Sequence, residues 1–387
     1  MSPQTKAEIL EHYRRRYKKL TKKEKGKLLD EFCELTKYDR KHAIKLLGRK
    51  KEKHKKIPGK KIDYDDSVVE IIKKIWLATG QLCSKRLVEA LPLWLPHYKN
   101  TFGNLSEDIK DKVLTISAAT IDRKLAKTRA KYAKGKSGTK PGSLLKVHIP
   151  IKTDQWNTTE PGFVEADTVA HCGGSLTGDF VWSITLTDIF SGWTENRAIW
   201  GKGAKDVIEQ IKDVEESIYF DIKGFDCDNG SEFLNWHLWR YFSDVKRTQP
   251  VQFTRSRPYH KDDNAHVEQK NWTHVRQLLG YDRFDNPKVL SYINDLYKND
   301  WSLFQNYFLP SMKLVEKQRI NSKIVKKHGK PSTPYQKLLN SDNISNELKK
   351  KLTNRYNGIN PFHLKRSIER KLKVILKFAT VSSVMSQ

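Results

Sequence analysis

Cysteine is scarce in this sequence, and long apolar runs are missing from it. The 387 residues include 4 cysteines, and no two of them form a close-spaced pair; they are Cys33, Cys83, Cys172 and Cys227. We therefore expect reduced, buried thiols, as in a cytosolic protein. No apolar segment reaches the length of a membrane span, and the N-terminal residues are too charged for a secretory signal. A cytoplasmic protein that does not bind a membrane is the expectation.

Acidic residues are also few, and the shortage is uneven along the chain. The sequence has 73 Lys and Arg against 45 Asp and Glu, a net charge of +28. Residues 1–61 hold 22 basic and 8 acidic side chains, 286–387 hold 20 and 6, but 160–285 hold 14 and 21. Basic flanks around an acidic centre indicate that the flanks bind a polyanion and that cations occupy a site in the centre. In the simpler alternative, the basic residues only keep the surface soluble.

Two short amphipathic helices are predicted near the N-terminus. Thr36-Lys37-Tyr38 separates them, and Asp39 can cap the second. Their apolar positions are Leu28, Leu29, Phe32, Leu35, Ala43, Ile44, Leu46 and Leu47. We interpret residues 1–60 as a helix-turn-helix DNA-binding module that ends in a basic linker, although a plain helical hairpin would show the same apolar pattern. The candidate DNA contacts are Arg40, Lys41 and Lys45.

A second helical region is predicted at residues 62–132. One helix includes Leu87–Leu91 and is expected to end at Pro92, and Ser117 can cap a later helix from Ala118 to about Lys131. This pattern predicts a second helix-turn-helix-like DNA-binding module, with a core helix that exposes basic residues as the alternative. Its candidate DNA contacts are Thr120, Arg123, Lys124 and Lys127. A basic linker rich in glycine is expected at 133–150.

The centre of the chain contains three short acidic phrases. Asp167 and Asp228 end short apolar, β-prone runs, whereas Glu268 falls in the first turns of a predicted helix. Carboxylates from two strand ends and a helix can meet at one point of an α/β sheet. Such a cluster is costly unless cations neutralise it, and Mg²⁺ prefers a few carboxylates, water and phosphate oxygens.

The pattern of residues 151–325 predicts an α/β domain with a mixed sheet, helices on both faces and a helical extension. The predicted strands are Phe163–Val169, Phe180–Thr187, Thr194–Ile199, Gly224–Cys227 and Val251–Phe253, and the predicted helices are Ala204–Ser217, Ser231–Phe242 and Asp263–Leu279. The aromatic residues of the extension, from Tyr292 to Phe308, are expected to pack on this domain. Residues 323–330 are predicted to be a basic loop, and 326–387 a basic, mainly helical tail domain.

The order of these motifs carries a resemblance. Asp167, then Asp228-Asn229-Gly230, then Asn264, Glu268 and Asn271 resemble the Asp-Asp-Glu core of retroviral integrases and of the transposases of bacterial insertion sequences. The resemblance covers roughly residues 150–285 and implies a ribonuclease-H-like fold. It departs from the retroviral pattern in two ways: the gap between the second and third acids is a few residues longer, and the zinc-binding His-His-Cys-Cys module is absent.

The resemblance implies a Mg²⁺-dependent DNA transposase, with Mn²⁺ as a substitute, that cleaves element ends and joins them to target DNA. Asp167 would bridge two metal ions, and Asp228 and Glu268 would each hold one. The partners implied are double-stranded DNA and further copies of the chain, and the location implied is the nucleoid. Candidate phosphate contacts on the helix of Glu268 are Lys270, Asn271 and Arg276.

Other interpretations remain open for this region. Taken alone, Asp167 could cap a strand end, Asp228 could belong to a turn, and Glu268 could be a solvated helix charge. A transposase-derived DNA-binding regulator without catalysis is the alternative function, and a ribonuclease H or other nuclease is a third. Asp226 and Asp188 are expected to be structural.

Overall fold

The computed structural model describes residues 3–48, 64–132, 158–227, 230, 232–244, 247, 250–255, 265–320 and 323–380. The chain divides into two compact units, Met1–Asp63 and Tyr64–Gln387. The two linkers predicted from the sequence lie outside the described residues. In the described part, no helix combines the length and apolar character that crossing a membrane would need.

The first unit contains three helices: α1 (Pro3–Tyr17), α2 (Lys22–Thr36) and α3 (Arg40–Gly48). Its core consists of Tyr13, Leu28, Leu29, Phe32, Ala43 and Leu47. The predicted break is confirmed, because Lys37 adopts a left-handed φ of 57° and the Asp39 carboxylate accepts a hydrogen bond from Lys41 N at 2.9 Å. Leu35 and Ile44 are among the predicted apolar positions, but they are 45% and 44% exposed. Each lies about 100° around its helix from a buried neighbour, Thr36 or Ala43, and therefore faces away from the core.

The second unit begins with four helices: α4 (Asp66–Ala78), α5 (Ser84–Phe102), α6 (Glu107–Thr115) and α7 (Ala118–Tyr132). The predicted cap of α7 is confirmed, since Thr120 N donates to Ser117 Oγ at 3.2 Å.

The prediction that Pro92 ends its helix is wrong, because α5 continues through Pro92 and Pro96 to Phe102. A proline inside a helix costs about 3 kcal/mol. The fully buried Trp94 gives a physical reason for the continuation: its indole nitrogen donates to Phe308 O at 3.0 Å, and its ring meets Phe362 edge-on at 4.9 Å. Tertiary packing thus outweighs the local cost of the prolines.

A mixed five-stranded sheet follows, with the strand order β3-β2-β1-β4-β5. β1 pairs antiparallel with β2 and β2 with β3, whereas β4 runs parallel to β1 and β5 parallel to β4. The strands are β1 (Phe163–Ala170), β2 (Val181–Asp188), β3 (Thr194–Trp200), β4 (Gly224–Cys227) and β5 (Gln252–Arg255), and the helices between them are α8 (Ala204–Ser217) and α9 (Trp236–Phe242). All five predicted strands are therefore present.

The two faces of this sheet differ in chemistry. On one face, the apolar side chains of Val164, Ala166 and Phe225 pack with α8 and α9. Strand side chains alternate between faces, so Glu165 and Asp167 lie on the other face. A helical stretch, α10, lies against that polar face; it consists of an α-helix (Ala265–Lys270), a π-helical turn (Asn271–Arg276) and a last α-helical turn (Gln277–Leu279).

The helical extension, α11, covers the free edge of β3. It comprises Val289–Leu296, a π-helical turn at Tyr297–Trp301, and Ser302–Phe308. The Asn294 amide bonds Ala198 N and O at 2.7 and 2.9 Å, and the Asn306 amide bonds Thr194 N and O at 3.0 and 2.9 Å. These two amides replace a neighbouring strand and satisfy an edge that would otherwise be open to pairing. As predicted, the extension's aromatic residues are largely buried, apart from Tyr292 at 46% exposure.

The predicted basic loop near residue 325 is a hairpin instead: β6 (Leu314–Ile320) pairs antiparallel with β7 (Lys323–His328). Backbone pairing of the two strands accounts for the difference, since the lysine-rich composition alone favours a loop. The tail forms the helices α12 (Pro334–Leu339), α13 (Asn346–Asn357) and α14 (Pro361–Ile375), which a 3₁₀ turn, Leu376–Phe378, follows. Their buried side chains share one core with α4–α7 and α11, so the tail packs within the second unit.

Candidate active site

The site is built on the polar face of the sheet, where β1 and β4 lie side by side. In their parallel pairing Glu165 is opposite Asp226, and both side chains are almost fully buried. Asp167 follows two residues after Glu165 on the same face and is half-buried. Three carboxylates therefore lie on adjacent positions of one sheet face. Cys227, the last residue of β4, pairs with Ala166, the residue before Asp167.

Two hydrogen bonds fix α10 to this face. The buried Glu165 carboxylate accepts from Val267 N in the first turn of α10 at 2.9 Å, which satisfies one of the free N–H groups of a helix start. One turn later, Asn271 Nδ2 donates to Asp167 Oδ2 at 2.7 Å. Because Glu268 precedes Asn271 by three residues, it lies on the same side of the helix, towards Asp167.

The surroundings of Asp167 are rich in hard oxygen atoms. Asp167 Oδ1 also accepts a hydrogen bond from Thr168 N at 2.7 Å, and the exposed Glu268 carboxylate reaches solvent. Asn271 Oδ1 is buried and accepts no hydrogen bond from the part of the chain that the structure describes. Asn271 also begins the π-helical turn, a departure from α-geometry that is frequent at functional sites.

Asp228, the second predicted acid, lies outside the described residues, as do Asn229 and Asn264. The chain returns at Gly230, where an added β-carbon would come within 2.5 Å of the Glu232 carboxylate. Glu232 is buried and pairs with Lys202 at 2.6 Å, and Thr168 also donates to it at 3.1 Å. Burial alone would raise the pKa of Glu232, but the bonds from Lys202 and Thr168 lower it overall. A charged Glu232 thus joins its own segment to Thr168 of β1 and to Lys202.

The two acids that were expected to be structural, Asp226 and Asp188, both accept hydrogen bonds from neighbouring groups. Asp226 accepts a hydrogen bond from Thr254 Oγ1 at 2.6 Å on the neighbouring β5. Asp188 ends β2 and accepts bonds from Gly162 N at 2.8 Å and from Ser191 N at 2.7 Å. Burial raises the pKa of Asp188 although these hydrogen bonds oppose the rise.

The predicted phosphate contacts on α10 differ in their surroundings. Asn271 bonds Asp167, as described above. Lys270 donates to Gly192 O at 3.1 Å, and burial, with Lys337 and Arg86 nearby, lowers its pKa to about 7. Arg276 stacks over the Tyr281 ring, with 4.6 Å between the guanidinium carbon and the ring centroid. These three side chains therefore point to different surroundings and form no single cluster.

Of the predicted contacts on α3, Arg40 forms an ion pair with Asp30, and Lys41 and Lys45 are exposed. On α7, Arg123 Nη2 donates to Thr120 Oγ1 at 3.1 Å, Lys124 donates to Tyr64 O at 2.6 Å, and Lys127 is exposed.

The four cysteines are not joined in disulfides, as expected, but of the four only Cys227 is buried, and Cys83 is exposed. Cys83 is the residue immediately before α5. Sequence reasoning did not single out Glu165 or the bond between Asn271 and Asp167. Strand alternation places Glu165 on the same face as Asp167, and this was the signal in the sequence that could have identified Glu165.

The donor set suits a hard divalent cation such as Mg²⁺. Asp167, Glu268 and the buried Asn271 Oδ1 offer carboxylate and amide oxygens on one side of α10. Within the described ranges, no three His, Cys, Asp or Glu side chains are close enough together to hold a metal ion. The third carboxylate of the predicted set, Asp228, lies outside those ranges.

The fold and the site together define an α/β protein with a mixed sheet and carboxylates on the polar face of β1 and β4. No protein-family model matches the chain. The uncharacterized protein y4rM of Sinorhizobium fredii (strain NBRC 101917 / NGR234) is 37% identical over 338 residues, which are 86% of this chain and 95% of y4rM. The chain therefore belongs to the y4rM family.

Two solved structures are weakly similar to the chain. The catalytic core domain of BIV integrase has 14% identity and a TM-score of 0.26, over 38% of this chain and 83% of the integrase chain. A chain of the simian T-cell lymphotropic virus intasome in complex with PP2A regulatory subunit B56 gamma has 12% identity and a TM-score of 0.30, over 55% and 68% of the two chains. TM-scores this low do not establish a common fold.

Proposed function

We propose that the chain is a DNA transposase or integrase-like recombinase. It binds the ends of a mobile element, cleaves DNA there in a divalent-metal-dependent reaction, and transfers the strand to target DNA. The observation that carries the proposal is the Asn271–Asp167 hydrogen bond of 2.7 Å, because it joins the strand of the first acid to the helix of the third.

The order of the sheet supports a ribonuclease-H-like assignment. Three antiparallel strands come first in the chain, and two strands parallel to β1 follow on its other side, in the order β3-β2-β1-β4-β5. Asp167 lies on the central strand, the chain leaves the adjacent β4 just before Asp228, and Glu268 lies on the helix against the same face. The elements that carry Asp167 and Glu268, and the strand that precedes Asp228, support the arrangement that the resemblance implies for the three acids.

In this proposal Asp167, Asp228 and Glu268 hold Mg²⁺, for which Mn²⁺ can substitute. Two ions held there would make a nucleophilic oxygen available at neutral pH and would stabilise the leaving oxygen of the phosphodiester. The residues of the chain keep the ligands in place: Asn271 orients the Asp167 carboxylate, Glu165 holds the start of α10, and Thr254 restrains Asp226. The same carboxylates can serve hydrolysis and strand transfer.

DNA recognition is proposed for the helical regions that precede the sheet in the sequence. The three-helix unit exposes Lys41 and Lys45 on α3, and α7 exposes Arg123 and Lys127. These side chains suit phosphate and base contacts from helix-turn-helix modules. In this proposal several copies of the chain assemble on two element ends.

The test is a cleavage and strand-transfer assay on duplexes that carry the two ends of the DNA segment encoding the chain. Mg²⁺ or Mn²⁺ is added to the wild type and to Asp167→Asn, Asp228→Asn and Glu268→Gln. Each of the three variants should lose at least about 10²-fold in rate, because metal ions supply several kcal/mol of transition-state stabilisation. The control Glu209→Gln, which removes an exposed acid from α8, should react like the wild type.

If the chain is instead a DNA-binding regulator without catalysis, a different result is expected. Binding to the ends without cleavage by the wild type, in either metal, would contradict the recombinase proposal. Equal rates for the wild type and Asp167→Asn would show that the acidic site is not catalytic. Cleavage of the RNA strand of an RNA–DNA hybrid, without joining, would instead favour a ribonuclease.

A further inference from the structure

Cationic side chains converge on the turn between β2 and β3. Gly192 in this turn has a φ of +74°, and Lys270 Nζ and Lys337 Nζ each lie 4.0 Å from the position that a β-carbon on Gly192 would occupy. At most twice that distance therefore separates the two ammonium groups. Lys270 belongs to α10 and Lys337 to α12, and both side chains are half-buried.

Two further cations belong to the same group, which we call the basic cluster: Arg86, Lys270, Lys313 and Lys337. Arg86 of α5 donates from Nε to Pro310 O at 2.5 Å. Pro310 precedes Lys313 by three residues. The charge of Arg86 acts on Lys270, and that of Lys313 on Lys337. Lys313 itself is exposed at the rim. Four separate segments of the chain thus supply one basic side chain each.

Among the ion pairs of the described residues, none joins a member of the basic cluster to a carboxylate. Burial lowers the pKa of Lys337, and the negative charge of Asp188 opposes that shift. The Asp188 oxygens already accept hydrogen bonds from Gly162 and Ser191. Like charges that are half-buried together destabilise a fold unless an anion neutralises them or one of them loses its proton. The cluster therefore has the composition of an anion site.

The basic surface continues from this cluster along the hairpin of β6 and β7. Lys313 O accepts a hydrogen bond from Gly329 N at 2.9 Å, at the base of the hairpin. Exposed lysines follow on β7 and just after it, namely Lys326, Lys327 and Lys330. Lys327 lies 3.8 Å from the Glu316 carboxylate and Lys330 lies 3.3 Å from that of Glu89, and all three lysines are exposed to a ligand in solvent. A single small anion would fill the cluster alone, whereas a polymer of phosphates would also neutralise the hairpin.

We propose that the basic cluster holds a phosphate of a DNA backbone and that the hairpin contacts the following phosphates of the same duplex. The identification of the anion as DNA rests on the proposed function. Lys270 and Glu268 lie two residues apart on α10, on different sides of the helix, so DNA held by the cluster would have to pass around α10 to reach the acidic site. Arg86, Lys313 and Lys337 are thus assigned to the substrate path.

The test is metal-free binding of a labelled duplex to the full chain at several salt concentrations. Each lost phosphate contact makes the slope of log K against log salt less steep by about 0.9, which corresponds to about fivefold weaker binding near 0.15 M salt. We expect this change for Lys337→Gln and for the exposed Lys313→Gln, which removes no buried group. Lys350→Gln, an exposed lysine on α13, should leave the slope unchanged.

Thermal unfolding in chloride and in inorganic phosphate gives an independent readout. Phosphate should raise the melting temperature of the wild type and of Lys350→Gln by the same amount, and that of Lys337→Gln by less, because an anion that binds only the folded state stabilises it. In chloride, Lys337→Gln should be at least as stable as the wild type, since it relieves repulsion among like charges. A Lys337→Gln variant that melts lower in chloride and responds fully to phosphate would overturn the proposal.

The two proposals can fail separately. If the wild type binds and cleaves DNA while both cluster variants keep the full salt slope, the cluster is not on the substrate path and the recombinase proposal stands. If the cluster variants lower the slope but the wild type cleaves no DNA, the phosphate site stands and the recombinase proposal fails. A wild type that binds no DNA would overturn both.

Discussion

The two faces of the central sheet have opposite chemistry although the same strands form them. On β1, Val164 and Ala166 are buried among the apolar side chains under α8 and α9. Glu165 and Asp167, which alternate with them along the strand, face α10 and accept hydrogen bonds from Val267 and Asn271. Hydrophobic burial is non-directional, whereas hydrogen bonds to a carboxylate fix positions. The apolar face accordingly provides stability, and the polar face provides the geometry for chemistry.

Phe225→Ala tests the apolar face and should have the largest effect on stability. Phe225 is fully buried, and its ring lies 4.8 Å from that of Phe242. Removal of such a ring leaves a cavity and should lower the free energy of unfolding by about 3–5 kcal/mol. Urea unfolding followed by circular dichroism measures the change.

The matched control is Trp236→Ala on α9, whose side chain is 71% exposed; it should change the free energy of unfolding by less than about 0.5 kcal/mol. Asp167→Asn, on the opposite face, should unfold close to the wild type. A loss of stability in Asp167→Asn as large as that in Phe225→Ala would remove the distinction between the two faces.

Asn271→Leu tests the polar face and should affect rate more than stability. The change keeps the approximate size of the side chain but removes the hydrogen bond to Asp167. Small misplacements of a catalytic group cost up to about 10²-fold, so we expect cleavage to fall by about 10- to 100-fold. The free energy of unfolding should change by less than about 1.5 kcal/mol, because the variant loses one hydrogen bond and also removes the unbonded Oδ1.

The control for this change is Thr273→Val in the same π-helical turn. Thr273 Oγ1 donates to Gln269 O at 3.1 Å and makes no described contact with Asp167. Its rate should stay within about twofold of the wild type. A rate for Asn271→Leu that equals the control would mean that the Asn271–Asp167 bond does not position the acid.

The sequence was sufficient for features that depend on local periodicity. The strand Gly224–Cys227 and the helix Ala204–Ser217 agree with their predicted bounds, because alternation and helical spacing act over a few residues. The alternation in β1 also predicts that Asp167 lies on the opposite face of the sheet from the apolar Val164 and Ala166.

Features that depend on distant partners could not be predicted in this way. The passage of α5 through Pro92 depends on Trp94 and its contacts with Phe308 and Phe362, more than 200 residues away. The basic cluster joins side chains from four segments, so no local pattern marks it. Asn271 was placed correctly on the helix of Glu268, but its bond to Asp167 required the register of α10 against β1.

A buried histidine at the end of the polar face gives the prediction with the smallest expected effect on stability. His171 follows β1 on the polar side, where its Nε2 is 2.8 Å from Ser183 Oγ. Burial, and then the charge of Arg276, lower the pKa of His171 to about 3. In the unfolded chain a histidine has a pKa near 6.5. Between these two values the unfolded state binds the proton and the folded state does not, so stability falls as pH falls through this window.

His171→Gln should therefore reduce the loss of stability on acidification. One histidine of this kind contributes up to about 1.4 kcal/mol per pH unit below pH 6.5, and His274, whose pKa burial also lowers, adds a second contribution that the variant keeps. Urea unfolding at pH 6.5, 6.0 and 5.5 stays above the range in which most carboxylates titrate. The control His363→Gln, an exposed histidine on α14, should retain the wild-type slope. An unchanged slope in His171→Gln would mean that this histidine takes up a proton in the folded state, and that water reaches the end of the polar face.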